Sequence, residues 1–284
     1  MLTPIRVARM LPVCVLLIMQ ALLPATLAAA HITRFAADVC GFQPGDTLVT
    51  VPASVKRIPP FAFADMDSLR EVRFEGNRLR EIGEYAFLGC SSLRRLPLPD
   101  SVSEMGEGCL RECTSLTTLR VPRALKKLPR FMCEWDSTLK EVVLPPGLVD
   151  IGSHAFAYCS SLTGIVIPPR VTHIGSNVFS FCSSLEEISL PVSVVELESY
   201  AFSECIALRR AVLPANSSLL GELIFSGCIS LMELIELSPV PPAFDCASFI
   251  FEPDASALYE QCRLKVLPGC EQKYRSAPGW SLFY

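Results

Sequence analysis

Thirteen cysteines and three histidines are the residues of this sequence with the most chemical potential, and their spacing points away from a reaction. Six of the cysteines, Cys90, Cys113, Cys159, Cys182, Cys205 and Cys228, fall at one recurring position, 23 residues apart or twice that. Zinc is a poor reading of them, since there is no Cys-x-x-Cys pair and histidine is scarce. In an exported chain an even set of cysteines suggests disulfides. Equivalent side chains of stacked coils, however, run nearly parallel at about 4.8 Å, wider than the roughly 3.8 Å between Cβ atoms that a bridge prefers. The column therefore reads as a structural ladder of buried thiols acting as small apolar side chains. Cys246, Cys262 and Cys270 escape that constraint. A disulfide between Cys262 and Cys270 is expected, and Cys40 either serves the N-terminal end or stays unpaired.

His154 and His173 occupy different repeat positions, and catalytic use of either needs a nucleophile or carboxylate brought close from another coil. Asp150 and Glu196 share the column of His173, but that column also holds Lys127 and reads as a solvated face. No nucleophile, base and oxyanion donor recur at compatible spacing, so the chain reads as a non-enzyme with no catalytic residue. No glycine-rich phosphate loop is present, and neither a cofactor nor a metal is expected. Asn216 opens the single glycosylation sequon, Asn216-Ser217-Ser218.

The elements that must position these residues follow from self-comparison. Leu69, Leu93, Leu116, Leu139, Leu162, Leu185, Leu208 and Leu231 stand 24 residues apart once and then 23 apart, giving about eight repeats. In the unit beginning at Leu162, the apolar positions 162, 165 and 167 have the Leu-x-x-Leu-x-Leu spacing of a leucine-rich-repeat strand, ending at Pro168. A second short strand, Val171 to Ile174, precedes a glycine that is expected to turn the chain. Val178 and Phe179 then point inward from a tight helical turn. The predicted fold is an α/β-type repeat solenoid, a right-handed leucine-rich-repeat coil with a parallel sheet on its concave face, short strands and helical turns on its convex side, and a cap at each end.

The units Ile151-Gly-Ser-His-Ala-Phe156-Ala-Tyr-Cys159-Ser-Ser-Leu162 and Ile174-Gly-Ser-Asn-Val-Phe179-Ser-Phe-Cys182-Ser-Ser-Leu185 resemble the BspA-type leucine-rich repeat of bacterial and protist surface proteins, over residues 48–237. The tail from Leu264 to Trp280 resembles the strand and helix that close such arrays. The resemblance implies surface adhesion and binding to host or matrix proteins. Cys109-Leu110 and Met132-Cys133 depart from the pattern by replacing Ala-Phe, and Asp136 and Met66 stand where cysteine is expected.

Function in a solenoid is expected on the concave face, where residues between the buried leucines point outward. The early coils place Arg70, Arg73, Arg94, Arg95 and Arg120 there, and the later coils add an apolar strip at Val143, Val166 and Val212. An aligned apolar strip beside a basic patch is what a protein-binding surface shows.

The ends set the context. Arg6 and Arg9, the apolar run from Leu11 to Leu23 and the small residues Ala28-Ala29-Ala30 read as a signal peptide cleaved before His31. The run falls short of the roughly 18 or more apolar residues that a membrane span needs. Cleavage removes two arginines and no acid, leaving 23 basic and 29 acidic residues and a formal charge of −6, which disfavours nucleic acid as a partner. The last residues, Trp280 to Tyr284, carry no hydrophobic tail, so no lipid-anchor signal is expected. The expected division is 1–30 signal peptide, 31–50 N-terminal cap, 51–237 repeat array and 238–284 C-terminal cap. The expected role is that of a secreted or surface-associated protein-binding module, with a self-associating structural component as the alternative.

Overall fold

A leucine-rich strand turns three apolar side chains per coil to one side, and a single coil has no second layer to bury them against. In the computed structural model, which describes residues 35–284 apart from 44, 217–218, 245–249 and 253–254, the coils bury them by stacking in parallel register. The expected signal peptide and Cys246 lie outside the described residues. The result is a parallel-strand solenoid of about eight coils.

Three hydrogen-bonded ladders join coil to coil. In the broad one, Leu48–Val51 pairs with Glu71–Phe74 and Thr118–Arg120 with Glu141–Val143, while Glu187–Ser189, Arg210–Leu213, Glu233–Glu236 and Arg263–Lys265 form a run of four. A narrow ladder of two-residue strands runs on another side, from Arg57–Ile58 to Glu104–Met105 and again from Lys127–Leu128 to Ala243–Phe244. The third ladder belongs to the turn segments. The Phe156, Phe179 and Phe202 amides donate to the carbonyls of Val178, Ala201 and Ile224 in the next coil, at 3.0, 2.8 and 2.9 Å. Amides spent between coils are lost to an i→i−4 pattern. The expected helical turns are therefore hydrogen-bonded turns, and the α-helices among the described residues, Ser256–Gln261 and Glu271–Ser276, lie after the array.

Two details differ from expectation. The chain turns directly after the repeat glycine, but not through a left-handed backbone: Gly152, Gly175 and Gly221 have ordinary φ, while a Cβ on Gly175 would sit 2.6 Å from the Ser153 amide nitrogen, and one on Gly221 2.2 Å from that of Ser199. Close approach of the preceding coil is what requires glycine here. The unit that best displays the strand spacing, Leu162 to Ile167, forms no strand. The amides of Gly164, Ile165 and Val166 make no backbone hydrogen bond among the described residues, so the broad ladder breaks between Glu141–Val143 and Glu187–Ser189.

The interior is built of repeated columns. Phe63 stacks on Phe87 at 5.0 Å between ring centroids, and Phe156, Phe179, Phe202 and Phe225 follow at 5.7, 5.3 and 5.5 Å; Leu110 and Cys133 fill the interval. Beside them the six column cysteines are fully buried and unbridged. They do more than fill space, because each thiol donates to a carbonyl of the previous coil. Cys90 reaches Phe63 at 3.0 Å, Cys182 reaches Phe156 at 3.2 Å and Cys205 reaches Phe179 at 3.1 Å. The Cys262–Cys270 bridge is not formed, and both thiols are free. Cys262 packs by the Leu234 backbone, whereas Cys270 turns its sulfur to the Pro239 carbonyl at 3.6 Å, so the two are held by different parts of the last coil. Trp280 and Tyr274 are buried across that coil and donate to the carbonyls of Pro242 and Ser238.

Asp136 interrupts the thiol column. Its Oδ1 accepts the Cys113 amide at 2.7 Å, while Oδ2 is buried without a partner. Burial pushes its pKa well above the carboxylate range, against the pull of the Cys113 amide and the Cys133 thiol. A folded-state pKa above the unfolded one means that stability is intact below the ordinary aspartate pKa and declines as pH rises through the folded value. Asp136→Asn keeps the acceptor and removes the ionisation. It is expected to raise stability at pH 7 by about 1–3 kcal/mol, with the gain vanishing in acid. Urea unfolding followed by circular dichroism at pH 4 and pH 7 measures this, and an equal effect at both values would contradict it.

Candidate functional site

The outward side of the broad ladder gathers the arginines that the repeat spacing aligned. Arg70, Arg73, Arg94, Arg95 and Arg120 are all exposed. The Arg94 amide donates to the Arg70 carbonyl at 2.9 Å, and the backbones of Glu71 and Arg95 pair in parallel, so these side chains leave neighbouring coils one strand spacing apart. Their surroundings differ. Arg73 is held by Glu71 at 3.0 Å and Arg120 by Asp100 at 3.5 Å. Arg70, Arg94 and Arg95 have no ion pair among the described residues.

At the far end of the same face the charges neutralise one another. Arg210 reaches Glu233 at 3.0 Å and Glu187 at 3.9 Å, and Lys265 also pairs with Glu233. The bonds from Lys265 and Arg210 hold the Glu233 pKa below its ordinary value. Between the two ends lie Val143, 49% exposed, and Val166, 84% exposed. Val212 does not join them, because at 9% exposure it is buried, paired on both sides in the four-stranded run between Ser189 and Ile235. The exposed apolar side chains in the middle of the face are thus the pair at the break in the ladder, and Met232 stands exposed further along. Asn216 is exposed, and the two serines of its sequon lie outside the described residues.

Two further clusters were not legible as such. On the narrow ladder, His173 Nδ1 lies 3.1 Å from Asp150 Oδ1 and Nε2 lies 3.0 Å from Glu198 Oε1, with Lys127 3.5 Å from Asp150 and Glu196 4.0 Å from the ring. Column reading found Asp150 and Glu196 but missed Glu198, which stands where the neighbouring coils carry Gly175 and Gly221 and so reaches back over the previous coil. That substitution was the available signal. On the turn side, Trp135, Tyr158 and Phe181 stack at 3.7 and 4.6 Å between centroids, with Trp135 and Phe181 exposed. Three aromatic residues at 23-residue spacing, each just before the cysteine position, were the signal that could have found this ridge. His154, one turn away, stacks on Phe131 at 4.9 Å and lies 3.6 Å from Glu134, which pairs with Arg111. Burial, then Arg130 and Arg111, lowers the His154 pKa. No set of three or more His, Cys, Asp or Glu side chains among the described residues could hold a metal ion.

These columns on a parallel-strand solenoid match a family model described as the BspA type leucine rich repeat region, in six copies over residues 46–163 and 126–238. The chain belongs to the BspA-type leucine-rich-repeat family. Among solved structures, this BspA-type chain is similar to a leucine rich cell surface protein of Faecalibacterium prausnitzii, at 26% identity over 69% of this chain and 68% of that one, with a TM-score of 0.49. It is also similar to a leucine rich repeat protein of T. pallidum, at 28% identity over 73% and 84% of the two chains, with a TM-score of 0.45. Among curated proteins none matches.

The His173 cluster has a consequence for stability of the BspA-type coil stack. Both ring nitrogens face carboxyl groups, and ionised carboxylates only accept, so both contacts are hydrogen bonds to carboxylates when the ring is doubly protonated. Burial alone would lower the His173 pKa, but hydrogen bonds to Glu198 and Asp150 outweigh it and the net shift is upward. Glu198 is shifted down, burial being overcome by His173 and the Ser176 amide. The histidine contribution is therefore complete below the ordinary imidazole pKa and lost as pH rises through the folded value. The Glu198 contribution is present above the ordinary glutamate pKa and lost in acid. His173→Gln is expected to flatten the fall of thermal stability between pH 6 and pH 8 by no more than about 1 kcal/mol, since the cluster is open to water. Tm against pH for the two proteins checks it, and parallel curves would remove the cluster from the account.

Proposed function

We propose that the chain is an extracellular protein-binding and adhesion module that recognises its partner on the outward side of the broad ladder, the side expected to be concave. The observation that carries this is the concentration of guanidinium groups. A chain of net negative charge places five arginines on three consecutive coils and leaves three of them unpaired. Unpaired like charges on adjacent strands repel one another, and a partner supplying carboxylates relieves that cost. The adjoining exposed valines supply apolar contact to the same partner. Family membership supports a surface role, and the expected signal peptide supports export. Host or matrix proteins are the proposed partners.

A second reading, self-association into a structural surface component, is favoured by one feature, the exposed aromatic ridge of Trp135 and Phe181. The two are separable. Reversal of Arg70, Arg94 and Arg95 to Glu is expected to reduce capture of extracellular-matrix proteins by about tenfold or more, with the far-ultraviolet spectrum unchanged. Phe181→Asn, suited to the left-handed backbone at that position, is expected to leave capture intact. Capture unaffected by the arginine reversal, together with light-scattering mass that falls in Phe181→Asn, would replace adhesion with self-assembly.

A further inference from the structure

The outward side of the broad ladder changes character along the stack. Over its first three coils the outward positions 70, 71, 73, 94, 95, 97, 117, 118 and 120 hold five arginines and one glutamate. Arg73 is taken by Glu71 and Arg120 by Asp100, so the free guanidiniums sit at Arg70, Arg94 and Arg95. Over the next two coils the face presents Val143 and Val166, with Lys140 and Glu141 beside the first of them. There the ladder is also open: the amides of residues 164–166 make no backbone hydrogen bond among the described residues, and a Cβ on Gly164 would meet nothing within 4 Å. Unpaired guanidiniums one and two positions after the anchor leucine thus give way, later in the stack, to valines four positions after it, with the unused main-chain donors on the coil of Val166.

We infer that the partner's recognised element is an extended peptide segment, acidic over one half and apolar over the other, laid across the coils from Arg70 to Val166. This rests on the broad face being the binding face. The span fits. Four coil spacings of about 4.8 Å make about 19 Å, which an extended chain covers in about six residues at about 3.3 Å each. Carboxylates of the acidic half meet the three unpaired guanidiniums, the apolar half covers Val143 and Val166, and the segment's carbonyls accept from the open amides beside Gly164. A uniformly charged polymer suits the site less well. A sulfated glycan would satisfy the arginines but gain nothing from the valines, and it would meet Glu141, Glu186 and Glu187 beyond them.

The test uses defined probes on the mature chain. Fluorescence polarisation compares the labelled heptapeptide Asp-Glu-Asp-Glu-Val-Ile-Val and its reverse with a peptide of the same composition in which acidic and apolar residues alternate, and with a labelled sulfated hexasaccharide. One of the two block peptides is expected to bind about tenfold or more tightly than the alternating peptide and the hexasaccharide, and to weaken with added salt. Arg94→Ala with Arg95→Ala, and separately Val166→Ser, are each expected to weaken it about tenfold while the far-ultraviolet spectrum stays unchanged. Equal binding of the alternating peptide, tighter binding of the hexasaccharide, indifference to either variant or absence of peptide binding would each overturn the inference. If matrix-protein capture still depends on Arg70, Arg94 and Arg95 while neither block peptide binds, the broad face stands as the site and only the peptide class falls. If capture ignores those arginines, the site itself is wrong.

Discussion

Everything in this molecule depends on one contact repeated at every coil, the seating of a turn segment on the one before it. The amide of the inward residue donates to the next coil throughout, and where the unit carries Phe and Cys the ring stacks on the next ring and the thiol donates back to a carbonyl of the preceding coil. Main-chain polar groups that would be orphaned in the interior of a single coil are satisfied between coils. The same contact fixes the coil spacing, and the coil spacing fixes which outward side chains become neighbours. The arginine cluster exists because Arg70 and Arg94 share a register that the buried columns impose.

The thiol column shows how a residue can be selected by two demands at once. Cysteine is small enough for the space beside the phenyl stack, and its S–H supplies a donor that alanine lacks. Burial raises the pKa values of Cys90, Cys113, Cys159, Cys182 and Cys228, to about 12 for Cys90, so the thiolate that attacks a disulfide is scarce there. Parallel placement at the coil spacing also denies the thiols bridging geometry. Geometry and weak acidity both oppose disulfide formation within the column. Where Asp136 replaces the thiol, the site acquires a buried carboxyl with one unpartnered oxygen, which is the cost of a group that does not match the column.

Much of this was legible in the sequence because a 23-residue period leaves few alternatives. The anchor leucines, the phenylalanine and cysteine columns and the outward arginines were all readable as columns. Features that depend on departures from the period were harder to see. Periodicity implies a strand at Leu162 to Ile167, yet the backbone at Gly164 leaves the ladder there. Val212 reads as outward and is nevertheless buried, because exposure depends on the neighbouring strands as well as on the column. Glycine at this repeat position reads as a turn residue until the approach of the coil beneath it is known. Glu198 in that glycine position then becomes informative, since a side chain projecting at the point of closest approach must reach along the previous coil, and it finds His173.

Thiol counting by mass spectrometry tests the repeated contact most directly. Purified protein is alkylated without reductant, first folded and then in denaturant. The account predicts that Cys90, Cys113, Cys159, Cys182, Cys205 and Cys228 are unmodified in the folded protein and fully modified after unfolding. A disulfide joining any two of them, or rapid alkylation of them in the folded state, would contradict it.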